Sequence, residues 1–347
     1  MGINLISLKV LVTGGLGYIG SHVTTLLLSS GYAVVCLDNL DNSSEDVLER
    51  IKAISGKSPE FKAVDVRDKI ALQQVFTMHG PFDGIIHFAA YKAVEESIKK
   101  PLEYYENNIT GLINILSCAS VTNTPFIFSS SCTVYGQAKE LPIDESAPLQ
   151  PAVSPYGNTK KMGEEIIRDT CQSSKGFKAI LLRYFNPIGA HPSGKIGEKP
   201  KGVPQNLVPY LTQTVAGIRP ILNVFGNQYD TPDGTCIRDY IHVMDLAQAH
   251  IDSLVYLLKD MNVESCEVFN VGTGNGVSVL ELIIAFERAT GLKVPYTISA
   301  PRAGDTVSAY ASTKKITHTM KWKPKYTLEE ALLSAWKWEQ QLISKSK

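Results

Sequence analysis

Val10-Leu11-Val12-Thr13-Gly14-Gly15-Leu16-Gly17-Tyr18-Ile19-Gly20-Ser21 is the stretch that decides the fold. An apolar run leads into Gly14, Gly17 and Gly20, and a helix-like segment continues from Ser21 to Leu28. The pattern is a strand, a tight turn and a helix start. A turn without side chains lets a pyrophosphate reach the helix N-terminus, where free N–H groups and the helix dipole favour an anion. Glycines at this spacing also fit a turn that binds nothing, so the next strand matters. Ala33-Val34-Val35-Cys36-Leu37 reads as a buried strand ending in Asp38. An acid about 20 residues beyond the glycines accepts from the ribose hydroxyls of NAD. No Arg or Lys lies near Asp38 in the sequence, so a 2′-phosphate would be repelled, and the reading is NAD rather than NADP.

Outward from this stretch, apolar strands alternate with helical segments. The strands are expected at Lys9–Thr13, Ala33–Asp38, Phe61–Val64, Gly84–Phe88, Pro125–Ser129 and Ala179–Tyr184. The helices include Lys69–His79, Leu102–Ser120 and Tyr156–Cys171. Such alternation predicts an α/β fold, a Rossmann-type doubly wound parallel sheet covered on both faces. After Phe185 the texture changes, and residues 186–240 are rich in proline and glycine. Residues 1–186 are read as an NAD-binding domain and 187–347 as a smaller α/β substrate domain, with a segment near 240–258 packing back on the first. Asp245 is expected to cap a helix running to Leu258, and Gly291 to end one running from Ser278 to Thr290.

The bulk numbers narrow the function classes. A chain of 347 residues with 44% apolar content builds an ordinary soluble core. Its 34 basic and 34 acidic residues balance, which points away from nucleic acid and membrane surfaces. No apolar run reaches the length of a membrane span, Lys9 interrupts any signal-peptide pattern, and Ile6 spoils a Met1-Gly2 lipidation motif. Six scattered cysteines without a C-x-x-C pair read as reduced thiols of a cytoplasmic protein, with no metal site. Asn42-Ser43-Ser44 and Asn108-Ile109-Thr110 match the glycosylation pattern by chance on this reading.

The chemistry is expected at Tyr156-Gly157-Asn158-Thr159-Lys160, preceded by Ser129-Ser130-Ser131-Cys132-Thr133-Val134-Tyr135-Gly136. Tyr and Lys four apart share one helix face. A free phenol has a pKa near 10. A neighbouring ammonium and an oxidised nicotinamide both favour phenolate, so Tyr156 is the candidate base, Lys160 its electrostatic partner, and Ser131 a hydroxyl that shares the proton. An isolated Y-x-x-x-K would more often be a packed aromatic and a solvated lysine. Here it follows a nicotinamide fingerprint.

These motifs resemble the extended short-chain dehydrogenase/reductase family, most closely its members that epimerise UDP-hexoses at C4. The match runs from Lys9 to Trp338 and includes His87-Phe88-Ala89-Ala90, Arg183-Tyr184-Phe185-Asn186-Pro187, Asn206-Leu207, Arg238-Asp239-Tyr240-Ile241-His242-Val243 and Arg302-Ala303-Gly304-Asp305. The resemblance implies NAD contacts at Tyr18, Ile19, Asp38, Asn39, Asn42, Ser43, Asp65, Val66, Phe88, Ala89, Ala90, Lys92, Asn107, Ser131, Tyr156, Lys160, Tyr184 and Phe185, beside the glycines. Asp65 at a strand end can accept from the adenine amino group. For the sugar nucleotide it implies Lys92, Ser131, Tyr156, Asn186, Asn206, Leu207, Asn223, Val224, Phe225, Arg238, Arg302, Asp305 and Ala309. Arg238 and Arg302 suit a diphosphate, because a guanidinium fork matches phosphate oxygens. The alternative for each arginine is a surface salt bridge. His87 and His242, in apolar runs, read as packed core residues. In the family the position of Ala309 lines the wall by the sugar's C2 group, where a small residue leaves room for an N-acetyl group. A register slip of one would put Tyr310 there instead. The resemblance also implies a homodimer through the Leu102–Ser120 and Tyr156–Cys171 helices, with Cys118 and Cys171 in or near its seam.

Two departures stand out. Cys132 replaces a usual alanine, adding a thiol beside Ser131, and Ala90-Tyr91 replaces a usual Gly-Leu beside Lys92. Four other functions compete. Sugar-nucleotide 4,6-dehydratases carry an Asp-Glu pair after the Ser/Thr, where this chain has Cys132-Thr133, so the elimination acid is missing. A uronate 4-epimerase would share nearly all of these motifs. A dehydrogenase that releases its cofactor each turnover would share the dinucleotide half. A non-catalytic NAD-responsive regulator would have no need of Ser131, Tyr156 and Lys160.

Overall fold

The computed structural model describes residues 8–302 and 305–346. Met1-Gly2 and the Ala303-Gly304 pair noted above lie outside the described residues. Backbone packing divides the chain into two compact units, the first of residues 1–130, 154–182 and 247–268, the second of 131–153, 183–246 and 269–347.

The first unit opens with β1 (Lys9–Thr13), α1 (Tyr18–Ser29), β2 (Ala33–Asp38), α2 (Asp46–Ser55), β3 (Glu60–Ala63), α3 (Lys69–His79) and β4 (Gly84–His87). It continues through α4 (Val94–Lys99), α5 (Pro101–Tyr105), a π turn (Glu106–Thr110), α6 (Gly111–Ala119) and β5 (Phe126–Ser131). Helix α7 (Pro155–Ser173), β6 (Ala179–Tyr184), α9 (Val243–Leu258) and β11 (Cys266–Val271) complete the sheet and its cover, with part of α9 and the ends of β5, β6 and β11 passing into the second unit. The seven strands stand in the order β11-β6-β5-β4-β1-β2-β3. Pairings from β3 through β5 are parallel, with Val10 beside both Val34 and Gly84. The chain leaves β1 toward β2 and β3, then returns to the other side for β4. That reversal between β1 and β4 is the switch point at which doubly wound sheets bind ligands. Leu11, Leu37, Ile85, Leu112, Ile115, Phe126, Phe128, Ile167 and Leu181 fill one core face, so the strands read as continuous apolar runs.

The second unit holds a 3₁₀ turn (Cys132–Tyr135), β7 (Asn186–Ile188), α8 (Leu207–Val215), β8 (Leu222–Phe225), β9 (Ile237–Arg238) and β10 (Tyr240–His242). It ends with β12 (Val277–Ser278), α10 (Val279–Thr290), β13 (Tyr296–Ser299), β14 (Ser308–Ala309), α11 (Lys314–Met320) and α12 (Leu328–Ser346). Its strands pair in small sheets, β10-β7, β12-β9-β14 and β13-β8. Its core gathers Leu211, Leu222, Val224, Leu282, Phe286 and Leu332. Gly291 ends α10 in the left-handed region with φ 73°, as expected, and Ser278 begins it with a capping box.

Three expectations need correction. The predicted helix Leu102–Ser120 is broken by the π turn at its middle. Asp245 caps nothing: α9 begins two residues earlier, and the carboxylate instead accepts the Tyr326 N–H at 3.0 Å. Cys171 faces the core and is 5% exposed, so it cannot lie in an external seam. Among the described residues no helix is long and apolar enough to cross a membrane.

Candidate active site

The turn after β1 is built for close approach. Gly14 has φ 66°, and a Cβ there would lie 2.8 Å from the Ala89 nitrogen, just past β4. A Cβ on Gly20 would lie 2.1 Å from the Gly14 carbonyl oxygen, so α1 can sit this near the turn only with glycine. Gly17 is the N-cap of α1 and brings no side chain to the first-turn N–H groups, and that turn carries no acid. A helix N-terminus with no side-chain cap, and the cradle that side chains would fill, fit a dinucleotide pyrophosphate.

Asp38, at the end of β2, is 8% exposed. One carboxylate oxygen receives the Leu16 N–H at 3.0 Å, and the other the Leu40 N–H at 3.0 Å and the Ser43 hydroxyl at 2.7 Å. This ties the β2 end to the glycine turn and orients the acid. Asp65 takes Arg67 through Nε and Nη2 and Asn39 through its amide at 3.0 Å. The Arg67 hydrogen bonds hold its pKa down at about 2, so it is an anion across the working range. Asn42 is exposed beside Ser43, and Val66 is buried. Phe88 packs on His250 at 4.7 Å, and the Ala89 N–H reaches the Thr13 hydroxyl at 3.4 Å. The Lys92 ammonium sits 5.8 Å from the Tyr18 ring centroid, next to Ile19. Asn107 is buried in the π turn and donates to Asn108 at 3.0 Å. All of these residues belong to the first unit, while Tyr184 and Phe185 are buried in the second.

Tyr156 lies in the first turn of α7, whose N-cap Ser154 accepts the Gly157 N–H at 3.1 Å. Lys160, one turn on, points the same way, its Nζ 6.0 Å from the Tyr156 ring centroid and 5.0 Å from that of Phe128. Its ammonium donates to the Ser129 carbonyl at 2.7 Å. Burial pushes its pKa down to about 8. A turn further, fully buried Glu164 accepts the Ser130 hydroxyl at 2.6 Å, which fixes α7 against β5. His87 accompanies them on β4, joined to Thr13 at 2.7 Å, and burial together with the Lys160 charge drives its pKa to about 3. It stays neutral, as does His242, pushed by burial to about 4. Ser131 ends β5 and caps the 3₁₀ turn, accepting the Thr133 N–H at 3.2 Å and hydroxyl at 3.0 Å. Burial raises the Cys132 thiol to about 12, so it stays a neutral thiol at neutral pH.

In the second unit, Arg302 grips Asp305 with two hydrogen bonds of 3.1 Å and lies over the Phe225 ring at 4.7 Å. Arg238 approaches the same carboxylate at 3.9 Å. Two guanidinium groups thus converge on one acid. Asn223 accepts the Ser299 hydroxyl at 3.2 Å, and Asn206, N-cap of α8 before Leu207, donates to Glu198 at 2.7 Å. Val224 turns into the core at 1% exposure, leaving only its backbone for a ligand. Asn186 opens β7, and its N–H donates to the Asp239 carbonyl at 2.9 Å. Ala309 pairs with Arg238 across β14 and β9 and is buried among Val134, Tyr135 and Phe185. Tyr310, the next residue, lies against Gly276.

Sequence reading missed a buried network in this unit. Arg183 donates to the Tyr135 hydroxyl at 3.0 Å, which donates to Asn270 at 2.7 Å, and the Asn270 N–H reaches Glu145 at 2.8 Å. Its one sequence signal was Arg183 standing inside an apolar strand. Asn108 was also missed and was read only as a chance glycosylation site. It is 7% exposed and spent on Tyr91 and Thr159.

A doubly wound parallel sheet with a glycine turn at its switch point and a Tyr-x-x-x-Lys helix defines an extended short-chain dehydrogenase/reductase. The model of the GDP-mannose 4,6 dehydratase family matches residues 11–334, and the chain belongs to that family. It is similar to UDP-glucose 4-epimerase 2 of Arabidopsis thaliana, 52% identical over 334 residues, 95% of this chain and 94% of that one. A solved UDP-glucose 4-epimerase from Bifidobacterium longum in complex with NAD+ and UDP is 44% identical with a TM-score of 0.91, covering 96% of this chain and 98% of that one. The UDP-Glc/GlcNAc 4-epimerase of Campylobacter jejuni is 38% identical with a TM-score of 0.83, covering 96% and 100%.

Proposed function

We propose that this chain interconverts UDP-galactose and UDP-glucose by inverting C4, with NAD held through turnover. The observation that carries this is Tyr156 beside the buried Lys160, one unit with the Gly14–Gly20 turn and Asp38. NAD, when bound, would supply the hydride acceptor and donor that inversion at C4 needs. The chain's own residues do the rest. Tyr156 takes the O4 proton, Ser131 shares it, and the charge of Lys160 favours phenolate. Asp38 receives the ribose hydroxyls, and the glycine turn receives the pyrophosphate. Arg238 and Arg302, kept in place by Asp305, hold the UDP diphosphate while the hexose stays free to turn. On this reading residues 1–186 serve the cofactor and 187–347 the sugar nucleotide, and the enzyme works as a cytoplasmic homodimer. The dehydratase alternative lacks its acid: Cys132 is a neutral thiol and Thr133 is hydrogen-bonded to Ser131.

The test is to incubate the purified protein with UDP-galactose without added NAD, and to assay NAD(H) before and after denaturation. UDP-glucose formation, with dinucleotide freed only on denaturation, is expected. Turnover that strictly requires added NAD would favour a dehydrogenase that exchanges its cofactor.

We propose further that Ala309 leaves room for an N-acetyl group, so that UDP-GlcNAc and UDP-GalNAc are also interconverted. The small side chain of Ala309, paired with Arg238, supports this. Ala309→Tyr is expected to remove activity on the N-acetyl sugars and spare that on UDP-galactose. A wild type that is active on UDP-galactose and inert on UDP-GlcNAc would refute it.

A further inference from the structure

A hydroxyl oxygen has one proton to give and two lone pairs with which to accept. At Ser131 one residue takes both lone pairs. The Thr133 N–H donates to Ser131 Oγ at 3.2 Å, and the Thr133 hydroxyl donates to the same oxygen at 3.0 Å. Ser131 is buried at the end of β5 and caps the 3₁₀ turn that carries Thr133. The turn is pinned from behind. Val134 and Tyr135, the next two residues, are buried with Ile143, Phe185 and Ala311. The Tyr135 hydroxyl receives Arg183 at 3.0 Å and gives to Asn270 at 2.7 Å. The Gly136 N–H closes on the Thr133 carbonyl at 3.2 Å. The backbone of Thr133 is thus held against Ser131, and its β-branched side chain has few χ1 positions to choose from. Cys132, between the two, is a neutral thiol, and a thiol sulfur accepts only weakly. What remains to Ser131 is its single O–H.

We propose that Thr133 is a positioning residue for the epimerisation: by filling both acceptor sites of Ser131 Oγ it confines that oxygen to donating, so that the O4 proton leaves by way of Tyr156 alone. The inference rests on the epimerase reading above and adds to it the direction of each hydrogen bond at O4. In the oxidation half of the reaction the O4–H bond breaks and its proton goes to the Tyr156 phenolate. The C4–H electron pair leaves as hydride for the bound dinucleotide, and the electrons left on O4 complete the C4 carbonyl. An O4–H that donated to Ser131 instead would hold its proton away from the base. O4 accepts a hydrogen bond as an alcohol oxygen and again as a ketone oxygen. A serine that only donates therefore suits both states and both directions of the reaction without rearranging.

The experiment measures initial rates of UDP-galactose conversion on the whole protein. The variants are Thr133→Val, Thr133→Ser, Ser131→Ala and the Ser131→Ala/Thr133→Val double. Thr133→Val keeps the shape and removes the hydroxyl, and is expected to lower kcat about tenfold while KM moves less than about twofold. Thr133→Ser keeps the donor and should stay within about threefold of wild type. In the double, loss of the Thr133 hydroxyl should cost less than about twofold beyond Ser131→Ala, because the oxygen it acts on is gone. Where Thr133→Val does not fold, as read by circular dichroism and retained dinucleotide, Thr133→Ala brings no bulk and makes the same comparison. A wild-type kcat for the folded variant, an effect carried by KM, or a Thr133→Ser as slow as Thr133→Val would overturn the assignment. So would single effects that multiply in the double. A wild type that does not interconvert the two sugars would instead overturn the epimerase reading itself.

Discussion

At the scale of single residues, the site trades stability for chemistry at Lys160. An ammonium buried with one carbonyl partner at 2.7 Å has lost most of its hydration, which is why its pKa falls to about 8. Tyr156→Phe is expected to cut turnover by about 10²–10⁴-fold while NAD stays bound, since it removes the base and leaves the cradle intact. A near wild-type rate for Tyr156→Phe would end the proposed mechanism. Lys160→Met should also lose activity but melt higher, because it replaces a poorly solvated charge with an apolar chain of similar length. The sign of the pH effect follows from the same shift. Unfolded Lys160 keeps its proton to about 10.5, the folded residue only to about 8. Between those values the unfolded state binds the extra proton, so raising the pH favours the folded state. Chemical denaturation at pH 8 and pH 10 should show wild type gaining about 2–3 kcal/mol relative to Lys160→Met. Activity should move the other way and fall as the pH passes about 8, because the charge that supports the Tyr156 phenolate is lost.

At the scale of elements, what the sequence reveals depends on whether a local pattern controls the geometry. Strands β1, β2 and β6 and helix α3 match their expected bounds residue for residue, because buried parallel strands are written as unbroken apolar runs. The turn after β1 is equally legible, since only glycine tolerates a Cβ position 2.1 Å from a backbone oxygen. Gly20→Ala is accordingly expected to push α1 off the turn, costing about 1–3 kcal/mol of stability, and to strip bound NAD, as read by melting temperature and dinucleotide content. The π turn was not legible. Its residues Glu106–Thr110 are ordinary in helix propensity, and the extra residue is stabilised by tertiary bonds: Asn108 to Tyr91 and Thr159, and the neighbouring Asn114 to the carbonyls of Val66 and Arg67. Two adjacent asparagines inside an apolar helix were the available hint. Asp245 failed for a similar reason. A cap signal is local, but a partner 81 residues away, the Tyr326 N–H, claims the carboxylate. The candidate site was legible where residue type dictates chemistry, as at Asp38, Tyr156 and Lys160. It was not legible where distant segments meet, as with Asp305 between two arginines or Asn108 on Thr159.

At the scale of the whole molecule, the outer face of α5 and α6 leaves apolar surface that the monomer does not use. Leu102 is 80% exposed and Ile113 is 49% exposed, with Ile109 and Cys118 half-buried on the same stretch. Leu102, Ile109 and Ile113 recur near helical spacing, with the polar Glu106 and Ser117 at the same spacing among and after them. The opposite face of the same helices is spent on the sheet core through Leu112, Ile115 and Leu116. A stripe of this kind is covered most economically by its own copy, because a two-fold axis brings identical patches together. The homodimer proposed above places it there. Ile113→Asp would put an unpaired carboxylate into that seam, at a cost of several kcal/mol, while in a free monomer it would sit in water at almost none. Light scattering at micromolar concentration should therefore give a dimer for wild type and a monomer for Ile113→Asp, with unchanged circular dichroism. Glu106→Ala, on the same face, should leave the dimer intact. A monomeric wild type, or a variant that dimerises as well as wild type, would place the interface elsewhere or remove it.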